Sequence, residues 1–398
     1  MSEPNVITVS TYEGARDAFR QKHLRQALYD AGEVVMADVL VNLHGEDHRA
    51  RRRLENRLFR KDIQVRYERE LFPPIVEESL APHRAAGRAE LVSLSHQLMM
   101  NLAAATAGVD RPEGTVEETL HLYAYLMTFI EGATLAHYTG DREAKRAEVA
   151  AALAGFDAEF LQPSVQRRRA ALDRLAAGAV TEADLPQDVL TVLLRNQDDL
   201  DLQPDIVLRE TCFYLLAGAH TSATAFVRTL HAVFGAGDEV VTRAVADPGF
   251  LQRCVHETVR LHPSSPVAMR WALEDLELAD GRRVAAGDKV VIDLLAANRD
   301  PAAFGPDAEA FAPDREPAAG VAPWGLSFGL GMHACIGQEL AAGRDRLGLE
   351  PDDDHLLGLV TVAAGAVLAT GGRPDPDDPP ELDPASARGY WARYPIRW

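Results

Sequence analysis

Apolar residues recur every three or four positions through most of the chain, the spacing of one face of an α-helix. Short Gly, Pro or Asp punctuation separates the segments that carry this spacing. The predicted helices span 11–27, 46–60, 66–84, 90–107, 116–137, 143–176, 204–235 and 249–262. The pattern therefore predicts a chain in which helix dominates.

Runs of β-branched and apolar residues, which are typical of strands, are few and short. They lie at 5–9, 267–272, 276–279 and 288–294, and in the tail from about 358 onward. The sequence contains no internal repeat, and its acidic, Pro-containing stretches at 351–354 and 374–383 are predicted loops. The predicted fold class is mainly α with small β-sheets.

Composition narrows the class of protein. No Gly/Ser-rich or Pro-rich linker divides the 398 residues, so we predict a single domain over 1–398. No apolar stretch is long enough for a membrane anchor, and the first residues lack a signal peptide, which predicts a cytoplasmic protein. A formal net charge of −19 argues against a nucleic-acid partner.

The three cysteines are widely separated and form no CxxC pair, which indicates neither a disulfide framework nor a structural zinc site. Cys212 and Cys254 fall in helical patterns and are predicted to be buried core residues. Cys335 instead lies in FGLGMHACIG, a run at 328–337 with three glycines. This run is the first candidate for chemistry.

Several functions could use this glycine-rich run. GLSFG at 325–329 fits the G-x-S-x-G nucleophile elbow with Ser327 as nucleophile, but the residues leading in contain two prolines instead of a strand. A phosphate-binding loop lacks its full glycine pattern and its GK[ST]. A glycine-rich turn around a buried thiol remains the plain structural alternative.

The residues after Cys335, IGQELAAGRDRLGL, have a helical pattern. Cys335 is therefore predicted at or just before a helix start, where the helix dipole stabilises a thiolate. A thiolate in such a place is a metal ligand or a nucleophile. The glycines let the backbone approach a flat group closely, and Phe328 can shield the sulfur from water.

The run resembles the haem-binding loop of the cytochrome P450 family. Phe328, Gly331, His333, Cys335 and Gly337 fill that loop's aromatic, glycine, basic, ligand-cysteine and glycine places. The resemblance implies the cytochrome P450 fold, a haem b cofactor and Cys335 as the axial iron ligand, with the other four residues around the cofactor. It further implies a monooxygenase, because an anionic sulfur ligand favours cleavage of the O–O bond.

Two more motifs follow the family's order. Glu257 and Arg260 in HETVRLHP lie three residues apart, a spacing that alone most often marks a solvated ion pair. Phe311, Pro313 and Arg315 match the family's F-x-P-x-R. The resemblance implies a Glu257–Arg260–Arg315 network that supports the cysteine loop and haem incorporation.

Cations for the haem propionates are implied at four positions. His48 and Arg52 match a helix that carries such a pair four residues apart, and Arg270 and His333 are the matching cations elsewhere. A zinc site at His44 and His48 is the weaker alternative, because no glutamate follows the first histidine.

The redox partner is also implied by the resemblance. Arg51 and Arg53 are predicted to form a solvated basic face, and in this family an acidic ferredoxin docks on such a face. Because the sequence contains no flavin or iron–sulfur domain, we expect electrons from a separate ferredoxin and ferredoxin reductase.

The segment LLAGAHTSATAF resembles the family's oxygen-activation helix. Ala217, Gly218, Thr221 and Ser222 match, but His220 replaces the usual acid. The resemblance implies that Thr221, with His220 or a water held by a local helix opening, delivers protons. The structural alternative is a His220 that only bonds a neighbouring side chain.

The substrate is less constrained. A histidine before the threonine also occurs in the sterol 14-alpha-demethylase branch, which hints at a lipophilic, steroid-like or terpenoid-like substrate. The pocket is expected to include Leu216, Ala217, Val267 and Ala268, an apolar set that suits a hydrophobic small molecule.

The resemblance covers about 5–398, with a shortened front and an extra acidic segment near 351–357. A shortened front would leave the substrate mouth more open, and a truncated sequence would give the same pattern. Two other functions stay open: a haem-thiolate enzyme that uses peroxide or processes nitric oxide, and a catalytically silent haem-binding protein.

Overall fold

The computed structural model describes residues 4–345, 355–384, 386 and 389–398. The acidic stretch predicted at 351–354 and the end of the helix predicted after Cys335 lie outside the described residues. The rest of the chain can be compared with its sequence pattern.

Helices make up most of the described chain. They are α1 (Tyr12–Arg20), α2 (Glu33–Met36), α3 (Gly45–Glu55), α4 (Lys61–Arg66), α5 (Phe72–Ala85), α6 (Leu91–Ala107), α7 (Val116–Ala133), α8 (Arg142–Phe156), α9 (Gln162–Ala176), α10 (Val189–Arg195), α11 (Pro204–Gly235), α12 (Asp238–Ala246), α13 (Pro248–Leu261), α14 (Leu294–Ala297), α15 (Pro301–Phe304), α16 (Gln338–Ala342) and α17 (Leu359–Ala369). Within the described ranges, none of them has the length and apolar character needed to cross a membrane.

The strands are short and form four small sheets. They are β1 (Val6–Val9), β2 (Leu24–Gln26), β3 (Arg88–Glu90), β4 (Val267–Ala272), β5 (Leu276–Glu277), β6 (Arg283–Val284), β7 (Lys289–Asp293), β8 (Arg373–Pro374), β9 (Glu381–Leu382), β10 (Trp391–Arg393) and β11 (Pro395–Arg397). The largest sheet has the order β1-β7-β4-β2, with β1 parallel to β7 and the other pairs antiparallel. The predicted class, mainly α with small β-sheets, is confirmed.

The chain divides into two compact units. The first comprises Met1–Ala27, Gln64–Ser95 and Thr221–Trp398, and the second comprises Leu28–Ile63 and His96–His220. The first unit contains the four-stranded sheet, and its core includes Leu326, a few residues before Cys335. The single domain expected over 1–398 stays a prediction.

Two predicted elements are wrong. The helix predicted over 11–27 ends at Arg20, because Leu24–Gln26 pairs with β4 as an edge strand instead. The strand-like tail begins with helix α17, whose sequence LVTVAAGAVLA is almost entirely apolar. Because most of its residues are buried, this helix has no polar face, and its sequence lacks the periodicity that would have indicated a helix.

The helix predicted after Cys335 is also shorter than expected. Helix α16 begins at Gln338 and ends at Ala342, and Gly343 follows with a φ of +73°. The Arg344 N–H then donates to the Leu356 carbonyl at 3.0 Å, and a Cβ on Gly358 would collide with the Gly343 nitrogen. Gly343 and Gly358 therefore lie side by side in the fold.

Candidate active site

The cysteine loop presents one thiol. Cys335 follows a 3₁₀ turn at Gly331–His333, and its N–H donates to the Phe328 carbonyl at 2.8 Å. Its side chain is exposed, whereas Cys212 and Cys254 are buried, and burial raises the pKa of both buried thiols. Cys335 is thus the cysteine placed to meet a ligand.

Glycine is required in this loop for a steric reason. Gly331 has a φ of +71°, and a Cβ on it would lie 2.5 Å from the Phe19 carbonyl oxygen. Gly329 also has a positive φ, of +62°. The backbone can therefore pack against α1 only without side chains here. Gly337, with a φ of −92°, has an ordinary backbone conformation.

The start of the loop is tied to α13. The Ser327 hydroxyl donates to the Val259 carbonyl at 2.6 Å and accepts from Asn298 Nδ2 at 2.8 Å. Asn298 is fully buried, and its Oδ1 accepts the Leu326 N–H at 2.8 Å. Ser327 lies in a turn, so the strand-to-helix elbow of a hydrolase is not formed. Asn298 was missed by sequence reasoning.

The predicted carboxylate–arginine network is buried. Arg260 donates from Nε to Glu257 Oε2 at 2.6 Å and from Nη2 to Oε1 at 2.8 Å, a bidentate pair. Arg315 Nε donates to the same Oε1 at 3.1 Å. Arg260 also donates to the Asn298 and Ala308 carbonyls. The structure thus brings the three residues together, and the solvated-pair alternative does not apply to them.

Two predicted propionate partners lie in the first unit. Arg270 on β4 is buried and donates from Nη1 to Gln26 Oε1 at 2.6 Å. His333 is half-buried in the 3₁₀ turn. Phe19 links their surroundings, because its ring lies 5.3 Å from the Arg270 guanidinium and its carbonyl abuts Gly331. Phe19 was not singled out from the sequence.

The other two predicted partners lie one turn apart on α3, in the second unit. His48 is 2% exposed, and burial, with smaller contributions from the charges of Arg52 and His44, lowers its pKa to about 4. Arg52 is half-buried and donates from Nε to Asn56 Oδ1 at 3.0 Å. His48 is therefore neutral near pH 7 in the structure as described.

The basic face predicted on α3 needs one correction. Arg51 is 7% exposed, and its Nη1 donates to Glu210 Oε2 at 2.7 Å, so it is not solvated. Glu210, on α11 in the same unit, also accepts the Leu40 N–H at 3.0 Å. Arg53 is exposed, as predicted. The arginine lies on the inner side of α3 because a carboxylate distant in sequence compensates its charge.

A second buried carboxylate adjoins this pair. Glu55 is fully buried, and its Oε2 accepts a hydrogen bond from the Tyr214 hydroxyl at 2.5 Å. Burial raises the pKa of Glu55 and of Glu210, and Arg51 offsets this only partly. Two carboxyl groups thus share one buried guanidinium, an arrangement that favours proton uptake and that the sequence pattern did not reveal.

The segment predicted to activate oxygen lies within α11, which is helical throughout Pro204–Gly235, so the expected local opening is absent there. Thr221 is exposed, and its carbonyl accepts the Ser264 hydroxyl at 3.3 Å. His220 is half-buried, and its charge acts on His96 of α6. Burial, followed by the charge of His220, lowers the pKa of His96 to about 4. Sequence reasoning missed His96.

The residues predicted to line the substrate pocket are distributed over both units. Leu216 and Ala217 belong to the second unit, and Val267 and Ala268 on β4 belong to the first. All four are half-buried, which leaves part of each apolar side chain exposed. Their assignment to a substrate pocket stays a prediction.

The donor set fits a haem. The described residues contain no cluster of three or more His, Cys, Asp or Glu side chains that could hold a metal ion. The loop instead offers a single exposed thiol on a backbone kept close by glycine. Iron carried by a porphyrin needs only such an axial sulfur from the protein, together with cations for its propionates. Arg270 and His333, in the same unit as Cys335, are predicted to supply part of that charge.

Comparison with known proteins agrees with this chemistry. The family model described as Cytochrome P450 matches residues 210–344. The cyclooctat-9-en-7-ol 5-monooxygenase of Streptomyces melanosporofaciens is 28% identical over 366 residues, covering 81% of this chain and 74% of that protein. The C-19 steroid 1alpha-hydroxylase of Sorangium cellulosum is 26% identical over 358 residues, covering 86% and 82%.

Comparison with solved structures gives a similar result. The LnmA cytochrome P450 hydroxylase of Streptomyces atroolivaceus superposes with a TM-score of 0.71 at 24% identity, over 98% of this chain and 90% of that one. This likeness shows the fold, and the family model agrees with it over residues 210–344. The chain thus has the cytochrome P450 fold, and its two long relatives are named as a monooxygenase and a hydroxylase.

Proposed function

We propose that this protein is a monooxygenase that inserts one atom of dioxygen into a hydrophobic small molecule, with Cys335 as the thiolate ligand of a haem b. When bound, the haem supplies the activation of dioxygen, and its thiolate ligand favours O–O cleavage. The observation that carries the proposal is the cysteine loop, in which an exposed thiol lies on a backbone held by Phe328 and packed against Phe19.

His48, Arg52, Arg270 and His333 would hold the propionates. Arg270 is already oriented by Gln26, and a guanidinium and a carboxylate can form two parallel hydrogen bonds. His48 must take up a proton or donate from its neutral ring to do the same, since burial keeps its pKa low. A propionate beside it would raise that pKa.

Thr221 would hold a proton at its Oγ1 and pass it toward the haem side, and a neighbouring group would replace it. His220 is the neighbouring group in this chain, and an imidazole exchanges protons near neutral pH. Because α11 is continuous here, a water would have to lie beside the helix and not within it.

Electrons would come from a ferredoxin and its reductase. The exposed arginines on and after α3 supply a basic face for an acidic partner, and they are Arg49, Arg53, Arg57 and Arg60. Arg51 takes no part, since Glu210 neutralises it inside the fold.

For the substrate, a terpenoid-like or steroid-like polycyclic molecule is the proposed class. Two relatives are named for a cyclooctatenol and a C-19 steroid, and the half-buried residues Leu216, Ala217, Val267 and Ala268 offer apolar surface without charge. Such surface favours a ligand with few polar groups.

The test is the absorption spectrum of the haem-loaded protein, reduced and exposed to carbon monoxide. We expect a strongly red-shifted Soret band that is lost in Cys335→Ala and kept in Cys212→Ala, which removes a buried thiol instead. A wild-type protein without that band contradicts the proposal, as does a Cys335→Ala variant that retains it.

A further inference from the structure

His256 is a buried histidine that the proposed chemistry does not use. It lies on α13 next to Glu257 and is 3% exposed. A buried imidazole needs hydrogen-bond partners or a packing role, because burying a polar ring without them costs free energy. Its neighbours therefore indicate what it does.

One neighbour is the end of the helix that follows Cys335. His256 Nε2 lies 2.8 Å from the Ala342 carbonyl, so the nitrogen donates to it. Ala342 is the last residue of α16, and terminal helix carbonyls need donors from outside the helix. Gln252, one turn earlier on α13, donates to the same carbonyl at 3.1 Å. Two side chains of α13 thus cap α16.

The other neighbour is Trp324, which precedes the cysteine loop in sequence. The Trp324 ring meets the His256 ring at 5.0 Å with an interplanar angle of 79°. Trp324 in turn meets Phe328 at 5.9 Å and 83°, and the Phe328 carbonyl accepts the Cys335 N–H. Such perpendicular aromatic contacts fix the relative orientation of the rings.

The ring is neutral at pH 7. Burial lowers the pKa of His256 to about 4, against the Ala342 carbonyl and Asp345, which raise it, while His355 and Arg253 lower it further. A neutral ring carries a single N–H, and the short contact with the Ala342 carbonyl assigns that hydrogen to Nε2. The histidine therefore acts through one donor and one ring face.

We propose that His256 is a positioning residue for the haem ligand, holding Trp324 and Ala342, on either side of Cys335, against α13. This inference rests on the proposed function, because it requires Cys335 to ligate iron. Glu257 and Arg260 lie beside His256 on the same helix, and Arg315 joins their network from outside that helix. His256 adds two separate contacts, one with Trp324 before the loop and one with Ala342 after it.

The experiment compares haem-loaded wild type with His256→Ala, His256→Phe and His256→Gln. Phenylalanine keeps a ring without the donor, and glutamine keeps a donor without the ring. The measurement is the rate at which the red-shifted Soret band of the reduced carbon monoxide complex converts to an unshifted band. We expect roughly tenfold faster conversion in His256→Ala, and intermediate rates in the other two variants.

His231→Ala is the matched control. His231 lies on the part of α11 in the same unit, 4.6 Å from the Trp391 ring, and its Nδ1 lies 3.2 Å from the Tyr394 hydroxyl. It thus removes a histidine with the same two kinds of contact from another part of the unit. Thermal unfolding of all variants, followed by circular dichroism, separates loss of general stability from loss of the two His256 contacts.

Faster conversion in His256→Ala than in His231→Ala, at similar unfolding temperatures, supports the inference. Equal rates in these two variants, or wild-type conversion in His256→Ala, overturn it. Should His256→Ala fail to fold, wild-type rates in both His256→Phe and His256→Gln overturn it equally. A wild type without the red-shifted band contradicts the proposed function itself, a result distinct from the others.

Discussion

At the scale of single residues, the site depends on polar groups whose partners lie far away in sequence. Arg51 and Glu210 are separated by 159 residues, and so are Glu55 and Tyr214. Each of these side chains would cost free energy if buried alone. Because the second unit buries two carboxylates with one nearby guanidinium, its stability should depend on proton uptake.

We predict that Glu55→Gln changes the pH dependence of stability. Folding raises the pKa of Glu55 from 4.5 to about 7. Between these pH values the folded protein binds more protons than the unfolded chain, so the free energy of unfolding falls as pH rises. The slope contributed by one group is at most about 1.4 kcal/mol per pH unit. Urea unfolding from about pH 5 to about pH 8 measures it.

The observable is the difference between variant and wild type, because buried histidines such as His48 and His256 have lowered pKa values and act in the opposite sense. Glu117→Gln, at an exposed position on α7, is the control. A Glu55→Gln protein whose stability has the same pH slope as the control contradicts the prediction.

Residue chemistry also decides what the sequence could reveal. Cys335 was singled out because its loop has a recognisable pattern of neighbours over ten residues, and its role as a ligand stays a prediction. Arg51 was not, because RARRR contains no signal that separates one buried arginine from its exposed neighbours. Only Glu210, brought close by folding, makes the distinction. His256 and Asn298 were missed for the same reason, since both contact partners distant in the chain.

At the scale of elements, the cysteine loop is a short irregular segment held by regular ones. Helix α13 bonds it through Ser327 and Asn298 holds its start, while α1 supports the 3₁₀ turn through Phe19. The loop itself contributes little more than glycine conformations. Its geometry should therefore be sensitive to any side chain added where α1 approaches.

We predict that Gly331→Ala lowers haem occupancy while the protein still folds. Alanine at a φ of +71° costs about 1–2 kcal/mol, and its Cβ would also lie 2.5 Å from the Phe19 carbonyl, which displaces the loop. The ratio of Soret to protein absorbance after expression with added haem measures occupancy.

Gly320→Ala is the matched control. Gly320 has a φ of +78°, but a Cβ there would meet no atom within 4 Å. It pays the same backbone cost without the contact. If both variants retain wild-type haem occupancy, contact with α1 does not determine the shape of the loop.

Elements differ in how well their pattern predicts them. The long amphipathic helices were predicted because each buries one face and exposes the other. The stretch 11–27 combines a helix with an edge strand, and only pairing of Leu24–Gln26 with β4 ends the helical pattern. Helix α17 lacks a polar face, so its β-branched residues suggested a strand. Both errors arise where tertiary contacts decide between two local structures.

At the scale of the whole molecule, charge is distributed unevenly. The chain carries a formal net charge of −19, yet the exposed residues Arg49, Arg53, Arg57 and Arg60 lie close together in sequence on one helix and the turn after it. An acidic redox partner would be repelled by the net negative charge of the whole chain and attracted by these exposed arginines. Ionic strength separates the two effects.

We predict that reduction by an acidic ferredoxin slows as salt is added, because the local arginines govern docking. Arg53→Glu should reduce the rate at low salt on the order of fivefold and weaken its salt dependence. Stopped-flow reduction of the haem measures both. Arg174→Glu, an exposed charge reversal on α9, is the control.

A rate that rises with salt would mean that the net charge governs the encounter. Equal effects of Arg53→Glu and Arg174→Glu would mean that the partner docks elsewhere. Either result contradicts the proposed basic face and leaves the assignment of Cys335 unchanged.

Because Gly343 and Gly358 are adjacent in the fold, a foreign domain could be inserted between them. Because the Arg344 N–H donates to the Leu356 carbonyl, the two termini of a guest domain joined at these residues would begin side by side. Gln252 donates to the Leu356 carbonyl, and Glu68 accepts hydrogen bonds from the Leu357 and Gly358 N–H groups. These contacts would anchor the chain at the insertion point. A reductase module or fluorescent reporter spliced between these anchors would be tethered a few residues beyond the cysteine helix, joining electron supply and oxygenation in one polypeptide.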